Sequence, residues 1–507
     1  MTRKQFLTAI GQVVALTTAR SRSLLVAAAA LTVFTAPALG ATWHVNGTDG
    51  NDANGGTEVA PFKTIHKALD AAADNDRIEV APGTYVLDAT LEALVITNAV
   101  ELVGMGDDRD GVTVECTRDT RDWALSGGKR MLFVDNAAAR IRHMTFVGPR
   151  NRYNRGESNG FAAYVNAGTI SDCVFRDSYL DNAGGGAVYL NSSDAVIEDS
   201  LLVNHFATGG GSYGVALTIN NGRAMRCDIH SNLSRSLGPV ALVGAQARIY
   251  DSAVSNNQAC AVNPMWNNST WGNTWATGGI RISNSGAVVS NCVVAANRSN
   301  APTGGTGTYC VGGGITFTSH GKVYNTVVRG NYAYLQGGGV YGQGDLYNCL
   351  VSDNVSEAGS GGGVHGDSYG KTYLYNCTIA GNDSQLSGGV DGIDGADSSK
   401  KATLSNCIVW GNGTANYGEN VVMTYSCSSP ALSGEGNISA NPELNVNPTR
   451  ELYRISVRSP CARTGEWQSW MADAQYLDGE PMLNKANKVA MGCYAPYKFL
   501  ATTIVVR

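Results

Sequence analysis

Three tryptophans crowd one polar stretch of the chain: Trp266, Trp271 and Trp275 stand among Asn267, Asn268 and Asn273. Indole faces stack on sugar rings and amides bond sugar hydroxyls, so this spacing points to a glycan platform. The plain alternative is rings folded back onto a wall beneath them. A second stretch, Pro149 to Gly160, carries Arg150, Arg152 and Arg155 beside Tyr153 and Glu157. Guanidinium groups grip carboxylate or sulfate through two-pronged hydrogen bonds; a solvated loop with no ligand is again the alternative. Asp391, Asp394 and Asp397 recur at every third place. A calcium site wants about six to eight oxygen ligands, so Ca²⁺ is kept as an option and no metal or other cofactor is assigned. Asp49-Gly50-Asn51-Asp52 reads as a turn of an N-terminal cap. His320 and His365, on neighbouring repeats, read as packed or exposed residues rather than a metal pair.

The elements that must position these residues are repeats. A phrase of the form Asn-Cys-x-Val returns as Asp172-Cys173-Val174-Phe175, Asn291-Cys292-Val293-Val294, Asn348-Cys349-Leu350-Val351, Asn376-Cys377-Thr378-Ile379 and Asn406-Cys407-Ile408-Val409. Weaker copies are Asp199-Ser200, Arg226-Cys227, Asp251-Ser252 and Asn325-Thr326. Copies about 23 to 40 residues apart mark a stacked solenoid. Within a copy, Leu404, Cys407 and Val409 alternate inward and Ser405 outward. Asn406 takes a sharp turn in which its short amide tolerates a left-handed backbone. Asn412 opens the next turn, and stacked asparagines can hydrogen-bond from coil to coil. Glycine runs such as Gly312-Gly313-Gly314, Gly337-Gly338-Gly339 and Gly361-Gly362-Gly363 precede the phrases. They read as turns with positive φ, since no helix follows them to make a phosphate cradle.

Composition agrees. Glycine is 62 of 507 residues, well above the usual share of about 7%. Charged residues are 16% and the net charge is −5, with no basic run to suggest a nucleic-acid partner. Arg3, Lys4, Arg20 and Arg22 precede an apolar run from Leu24 to Phe34 and a small-residue exit at Ala38 and Gly40. This is the pattern of a secretory signal peptide over residues 1–40. No other segment reads as a membrane-crossing helix. Of the 12 cysteines, Cys173, Cys227, Cys292, Cys349, Cys377 and Cys407 share one repeat position. Coils about 4.8 Å apart hold side chains parallel, whereas a disulfide needs Cβ atoms about 3.8 Å apart and facing. These six are therefore expected as a file of buried free thiols. Cys260 and Cys310, in two insertions, and Cys461 and Cys493, bracketing the C-terminal segment, are disulfide candidates. Cys116 and Cys427 have no assignment.

Pro61-Phe62-Lys63-Thr64-Ile65 opens a helical pattern in which Ile65, Ala68, Leu69 and Ala72 share a face, and Ala81-Pro82-Gly83-Thr84-Tyr85 closes a strand after it. With the coils and the closing phrases Ser459-Pro460-Cys461 and Met491-Gly492-Cys493-Tyr494, this entry resembles secreted right-handed parallel β-helix proteins of the pectin-lyase-like superfamily. The glycine runs paired with the Asn phrases resemble repeats of chlamydial polymorphic outer-membrane proteins. The resemblance implies an all-β, single-stranded right-handed parallel β-helix with an N-terminal helical cap and a C-terminal capping segment. The boundaries are 1–40 signal, 41–99 cap and first strands, 100–425 coils with insertions near 149–160, 257–277 and 298–311, and 426–507 closing segment. Eleven to thirteen coils would make a rod roughly 50 to 60 Å long.

Lyases of the superfamily use a Lys or Arg base, often with Ca²⁺. Arg281, Lys322 and Arg329 lie on nearby coils without an acid cluster beside them, so catalytic roles do not carry over residue by residue. The reading is an exported protein, extracellular or on a bacterial surface. It binds polysaccharide or glycoprotein without catalysis, in the manner of an adhesin. A polysaccharide lyase or glycoside hydrolase working in an outer-wall groove is the alternative, and a passive structural rod is a third reading.

Overall fold

The computed structural model describes residues 40–87, 93–117, 130–148, 150–151, 159–180, 186–207, 214–234, 238–259, 276–300, 310–367, 370–391, 402–445, 453–482 and 488–497. Among them the strands form three long parallel walls of twenty-one, thirteen and nine strands. In one coil, Val188–Leu190 and Ala195–Glu198 belong to the first wall, Leu201–Val203 to the second and Phe206–Ala207 to the third. The first wall therefore takes two strands from each typical coil. In four coils they fuse into single long strands: Leu132–Arg142, Ala163–Ser171, Ile315–Tyr324 and Val340–Tyr347. The fold is a right-handed parallel β-helix. Thirteen strands in the second wall correspond to a stack of about 58 Å at about 4.8 Å per step.

The corners at the Asn-Cys phrases have a chemical cause. The residue that opens each Asn-Cys phrase has a left-handed backbone: φ is 50° at Asp172, 52° at Asn291, 54° at Asn348, 50° at Asn376 and 56° at Asn406. Asn and Asp tolerate this region better than other non-glycine residues. Gly312 has φ 62°, and a Cβ there would lie 1.9 Å from Thr316 Oγ1. Gly361 has the same relation to His365, at 2.7 Å from its Cβ. The first glycine of each of these runs thus folds back over the outward residue four places on, while Gly313 and Gly314 have no room for a Cβ because Gly338 O and Gly339 O of the next coil would lie 2.3 and 2.6 Å from it.

Two files fill the interior. Cys173, Cys227, Cys292, Cys349, Cys377 and Cys407 are buried and free. Each thiol donates to a carbonyl one coil back, as Cys377 Sγ does to Leu346 O at 3.6 Å and Cys407 Sγ to Leu374 O at 3.4 Å. Hydroxyls take the rungs between some of them: Ser200, Ser252 and Thr326 accept from the N–H of Cys173, Cys227 and Cys292. Burial raises the thiols, with Cys173, Cys227 and Cys292 pushed up to about 12, so they are inert fillers.

The second file is the asparagine that closes the phrase. Asn232, Asn257, Asn297, Asn331, Asn354, Asn382 and Asn412 are buried. Each Nδ2 donates to the next Oδ1, as from Asn297 to Asn331 at 3.0 Å and from Asn331 to Asn354 at 3.0 Å. Each backbone N–H donates to that same oxygen, and each Nδ2 also reaches a carbonyl behind, as Asn331 does to Val294 at 2.9 Å. His205 holds the rung before Asn232: its N–H donates to Asn232 Oδ1 at 2.9 Å, and its Nδ1 accepts from Ser178 N at 3.3 Å.

The helix Ile65–Ala71 covers the first coils, with Ile65 and Ala68 buried and Thr64 as N-cap accepting from Lys67 N. Asp52 accepts from Lys63 N, Thr64 N and Thr64 Oγ1, each at 2.9 Å. Its carboxylate is spent on the turn that starts the helix. At the other end Ile438 bridges Cys427 on the last coil. Residues 453–482 and 488–497 then fold back along the flank: Asn348, Asn376 and Asn406 donate to the carbonyls of Gln475, Ala490 and Glu466. Leu350 is buried there with Cys493 and Tyr494.

This geometry corrects one expected disulfide. Cys461 and Cys493 are both free thiols and lie in different apolar clusters, because the segment they bracket spreads along the wall instead of closing on itself. Cys310 is buried and packed with Ala259 and Ala276; its expected partner Cys260 lies outside the described residues.

Candidate binding surface

Most residues singled out for glycan contact, Trp266, Trp271, Trp275, Arg152 and Arg155, lie outside the described residues. Of Arg150 only the backbone is described; it starts a two-residue strand of the third wall paired with Tyr179. Asp391 ends a first-wall strand and accepts from Ser387 Oγ at 3.2 Å, while Asp394 and Asp397 lie outside. His320 and His365 are two coils apart, with Val340–Tyr347 between them. His320 Nε2 meets Asp345 Oδ1 at 2.8 Å and His365 Nδ1 meets Ser360 Oγ at 3.0 Å. Among the described residues no group of three or more His, Cys, Asp or Glu is placed to hold a metal ion.

The outward face of the first wall carries a surface that the sequence reading did not single out. Strand alternation turns Thr316, Lys322 and Tyr324 outward on one coil, Tyr341, Asp345 and Tyr347 on the next, and Tyr373 and Tyr375 on the next. Register then stacks like positions. Tyr324, Tyr347 and Tyr375 form a continuous file with ring centroids 4.8 Å apart at both steps and planes within 14° and 13°. Tyr373 lies beside Tyr375 with nearly parallel planes, 8° apart, at 6.3 Å. The flank segment supplies one border: Trp470 stands edge-on to Tyr347 at 5.2 Å and to Tyr375 at 6.3 Å. Trp470 is itself fixed, its Nε1 donating to Gln468 Oε1 at 2.7 Å and Gln468 Nε2 donating to Ser405 Oγ at 2.8 Å.

Polar groups run alongside. His320 packs edge-on to Tyr373 at 6.1 Å while bonded to Asp345. Lys322 and Tyr373 are the register neighbours of Asp345 on either side. A second outward file runs Arg281, Thr316, Tyr341, His365 and Asp391 through successive register pairs. Within it Tyr341 stacks on His365 at 5.7 Å. Burial, followed by the negative charge of Asp345, raises the Tyr347 and Tyr375 phenols, so they stay neutral hydrogen-bond donors. Arg281 is held below the ordinary arginine range by burial, and its Nε is buried without a hydrogen bond. The tyrosine file had a sequence signal: Tyr324, Tyr347 and Tyr375 each stand immediately before the turn residue Asn325, Asn348 or Asn376.

The fold is that of a right-handed parallel β-helix. Residues 48–152 match a family described as "Protein of unknown function (DUF1565)". A search of curated proteins returns no match. Among solved structures the chain is similar to pectate lyase Pel9A, at 14% identity and TM-score 0.39 over 90% of this chain and 96% of that one. It is also similar to XylC in complex with xylose, at 11% identity and TM-score 0.44 over 90% and 98%. A third is the A-module of the Azotobacter vinelandii mannuronan C-5 epimerase AlgE6, at 13% identity and TM-score 0.41 over 74% and 93%.

Proposed function

We propose that this is an exported binding protein that engages a glycan, free or on a glycoprotein, along the first wall. The observation that carries this reading is the register of Tyr324, Tyr347 and Tyr375 bordered by Trp470. Tyrosine offers rigid apolar area and a hydroxyl at low entropic cost, and sugars present the complementary mixture of C–H faces and hydroxyls. Because the rings are already stacked, binding needs little ordering. Trp266, Trp271 and Trp275, with Arg150, Arg152 and Arg155, are proposed as further contacts on the insertions. The test is a glycan array, followed by titration of the best glycan into the native chain and into Trp470→Ala. Binding that weakens about tenfold in the variant, or roughly 1.4 kcal/mol, supports the reading. A blank array with folded protein overturns it.

One observation favours a second reading, catalysis on the same strip: His320 is oriented by Asp345 through Nε2, with Tyr373 at its edge. An imidazole so held could act as general base in a lyase or glycosidase. Release of unsaturated or reducing ends from a polysaccharide panel, abolished in His320→Ala, would favour it.

A further inference from the structure

The outward file that holds Arg281 begins at Thr218 and Ala241 and continues through Thr316 toward His365 and Asp391. Polar members of this file find partners close by in the chain. Thr218 Oγ1 accepts from Gly214 N at 3.0 Å, His365 Nδ1 meets Ser360 Oγ at 3.0 Å, and Asp391 accepts from Ser387 Oγ at 3.2 Å. Two adjacent members break the rule. Arg281 Nε and Thr316 Oγ1 are both buried without a hydrogen bond, on neighbouring coils and in direct register. Thr316 is fully buried; Arg281 is only partly so, which leaves part of its guanidinium open to solvent.

Other arginines of the same wall are neutralised or bonded. Arg77 and Arg142 both grip Glu101, and Arg248 donates to the carbonyls of Ala245, Ala247 and Gly286. Arg281 has the uncharged Ala241 and Thr316 as its register neighbours. The acid of its own file, Asp391, stands four coils on, about 19 Å away at about 4.8 Å per step. Burial acts on this guanidinium with no negative charge to offset it. A partly desolvated cation without a counter-charge is costly, and arginine cannot escape by losing its proton. Thr316 adds a hydroxyl where, for the fold alone, a valine of the same shape would leave nothing unpaired.

We propose that Arg281, with Thr316 beside it, receives an oxyanion carried by the glycan, a sulfate ester or a carboxylate, so that the ligand is an acidic polysaccharide. A guanidinium fork takes either group through two parallel hydrogen bonds. This rests on the binding role proposed for the first wall. Thr316 and Tyr324 stand near opposite ends of one strand, Ile315–Tyr324. The oxyanion and the tyrosine rings therefore meet different parts of one extended ligand.

The test is to titrate dextran, dextran sulfate and polygalacturonate into the native chain and into Arg281→Gln at one fixed ionic strength. The native chain is expected to bind a charged polymer at least tenfold more tightly than dextran, and the better of the two identifies the oxyanion. That preference should fall about tenfold in Arg281→Gln. The urea midpoint of the variant should hold or rise, since an uncompensated charge has been removed; an arginine kept for packing would lower it. A native chain without the preference, or a variant that keeps it, would overturn the proposal. Should Arg281→Gln fail to fold, Arg281→Met, which keeps the apolar stem, is read in the same way. Failure of both to fold would show that the guanidinium holds the wall together and would also overturn it. Array hits confined to uncharged glycans would remove the oxyanion site and leave the binding role of the wall standing, whereas a blank array removes both.

Discussion

The solenoid repeats two files at one coil spacing, the asparagines inside and the tyrosines outside, and the same geometry serves them differently. Each interior asparagine is surrounded by protein. Asn331 Oδ1 accepts from both the backbone and side chain of Asn297, and its Nδ2 donates to Val294 O and Asn354 Oδ1. Nothing there can be removed without stranding a buried donor or acceptor. The tyrosine file is half in water. Its rings support one another, but each can be lost while solvent fills in. Translational repetition is thus obligatory where it is dry and permissive where it is wet, and the wet wall is where a binding surface can vary.

The sharpest way to break this comparison is Asn331→Ala. It strands the Asn297 N–H, one Asn297 amide hydrogen and the Val294 carbonyl. At about 1–3 kcal/mol for a buried group left without a partner, with partial relaxation, the expected loss is about 4 kcal/mol. It would be read as a lowered denaturation midpoint at neutral pH. A loss no larger than that of an outer-file truncation would mean that the inner ladder is ornamental.

The second test uses the rung where the ladder changes chemistry. His205 is fully buried, and its Nε2 lies outside hydrogen-bonding geometry. Burial drives its pKa down to about 4 from 6.5, with Asp177 and the Phe175 carbonyl offsetting this only in part. Between those values the unfolded chain takes up a proton that the folded chain refuses. The rung's full contribution is therefore present above pH 6.5 and is lost as pH falls toward 4. At about 1.4 kcal/mol per unit, the loss reaches about 3 kcal/mol. His205→Asn supplies an uncharged amide at the same rung and should flatten this dependence. Urea midpoints at pH 7.5 and pH 4 check it, and an unchanged slope would show that acid sensitivity lies elsewhere.

The inner architecture was readable in the sequence because dry, repeated positions tolerate few residue types. Asn406, Cys407 and Asn412 each have one feasible job once coils stack, and the cysteine file, the left-handed corners and the capping helix over Ile65 and Ala68 follow from residue type and spacing. The outer wall was far less readable. Tyr347 and Tyr375 precede their turn residues in plain view, but an outward position is free to hold Ser290 or Ser405 on other coils, so no period announces the file. Trp470 was further out of reach, because it arrives from more than a hundred residues away on a segment whose docking depends on Asn348, Asn376 and Asn406. The pairing of Cys461 with Cys493 was misjudged for the same reason, since chain proximity said nothing about which wall each sulfur would meet.

The smallest expected effect on stability is at the centre of the outer file. Tyr347 stacks on Tyr324 and Tyr375 and takes the edge of Trp470. Aromatic pairs add about 0.5–1.5 kcal/mol each beyond burial, and water can occupy part of the space that Tyr347→Ala opens. The expected loss is about 1–2 kcal/mol, well below that for Asn331→Ala. Glycan affinity should nevertheless fall about tenfold, because the gap interrupts both the apolar strip and the row of hydroxyls. Tyr347→Phe separates the two contributions: it keeps the stack and removes one hydroxyl. If the Phe variant binds as the native chain does and the Ala variant does not, ring contact carries recognition. If both lose affinity alike, the hydroxyl does, and stacking serves only to hold it in place.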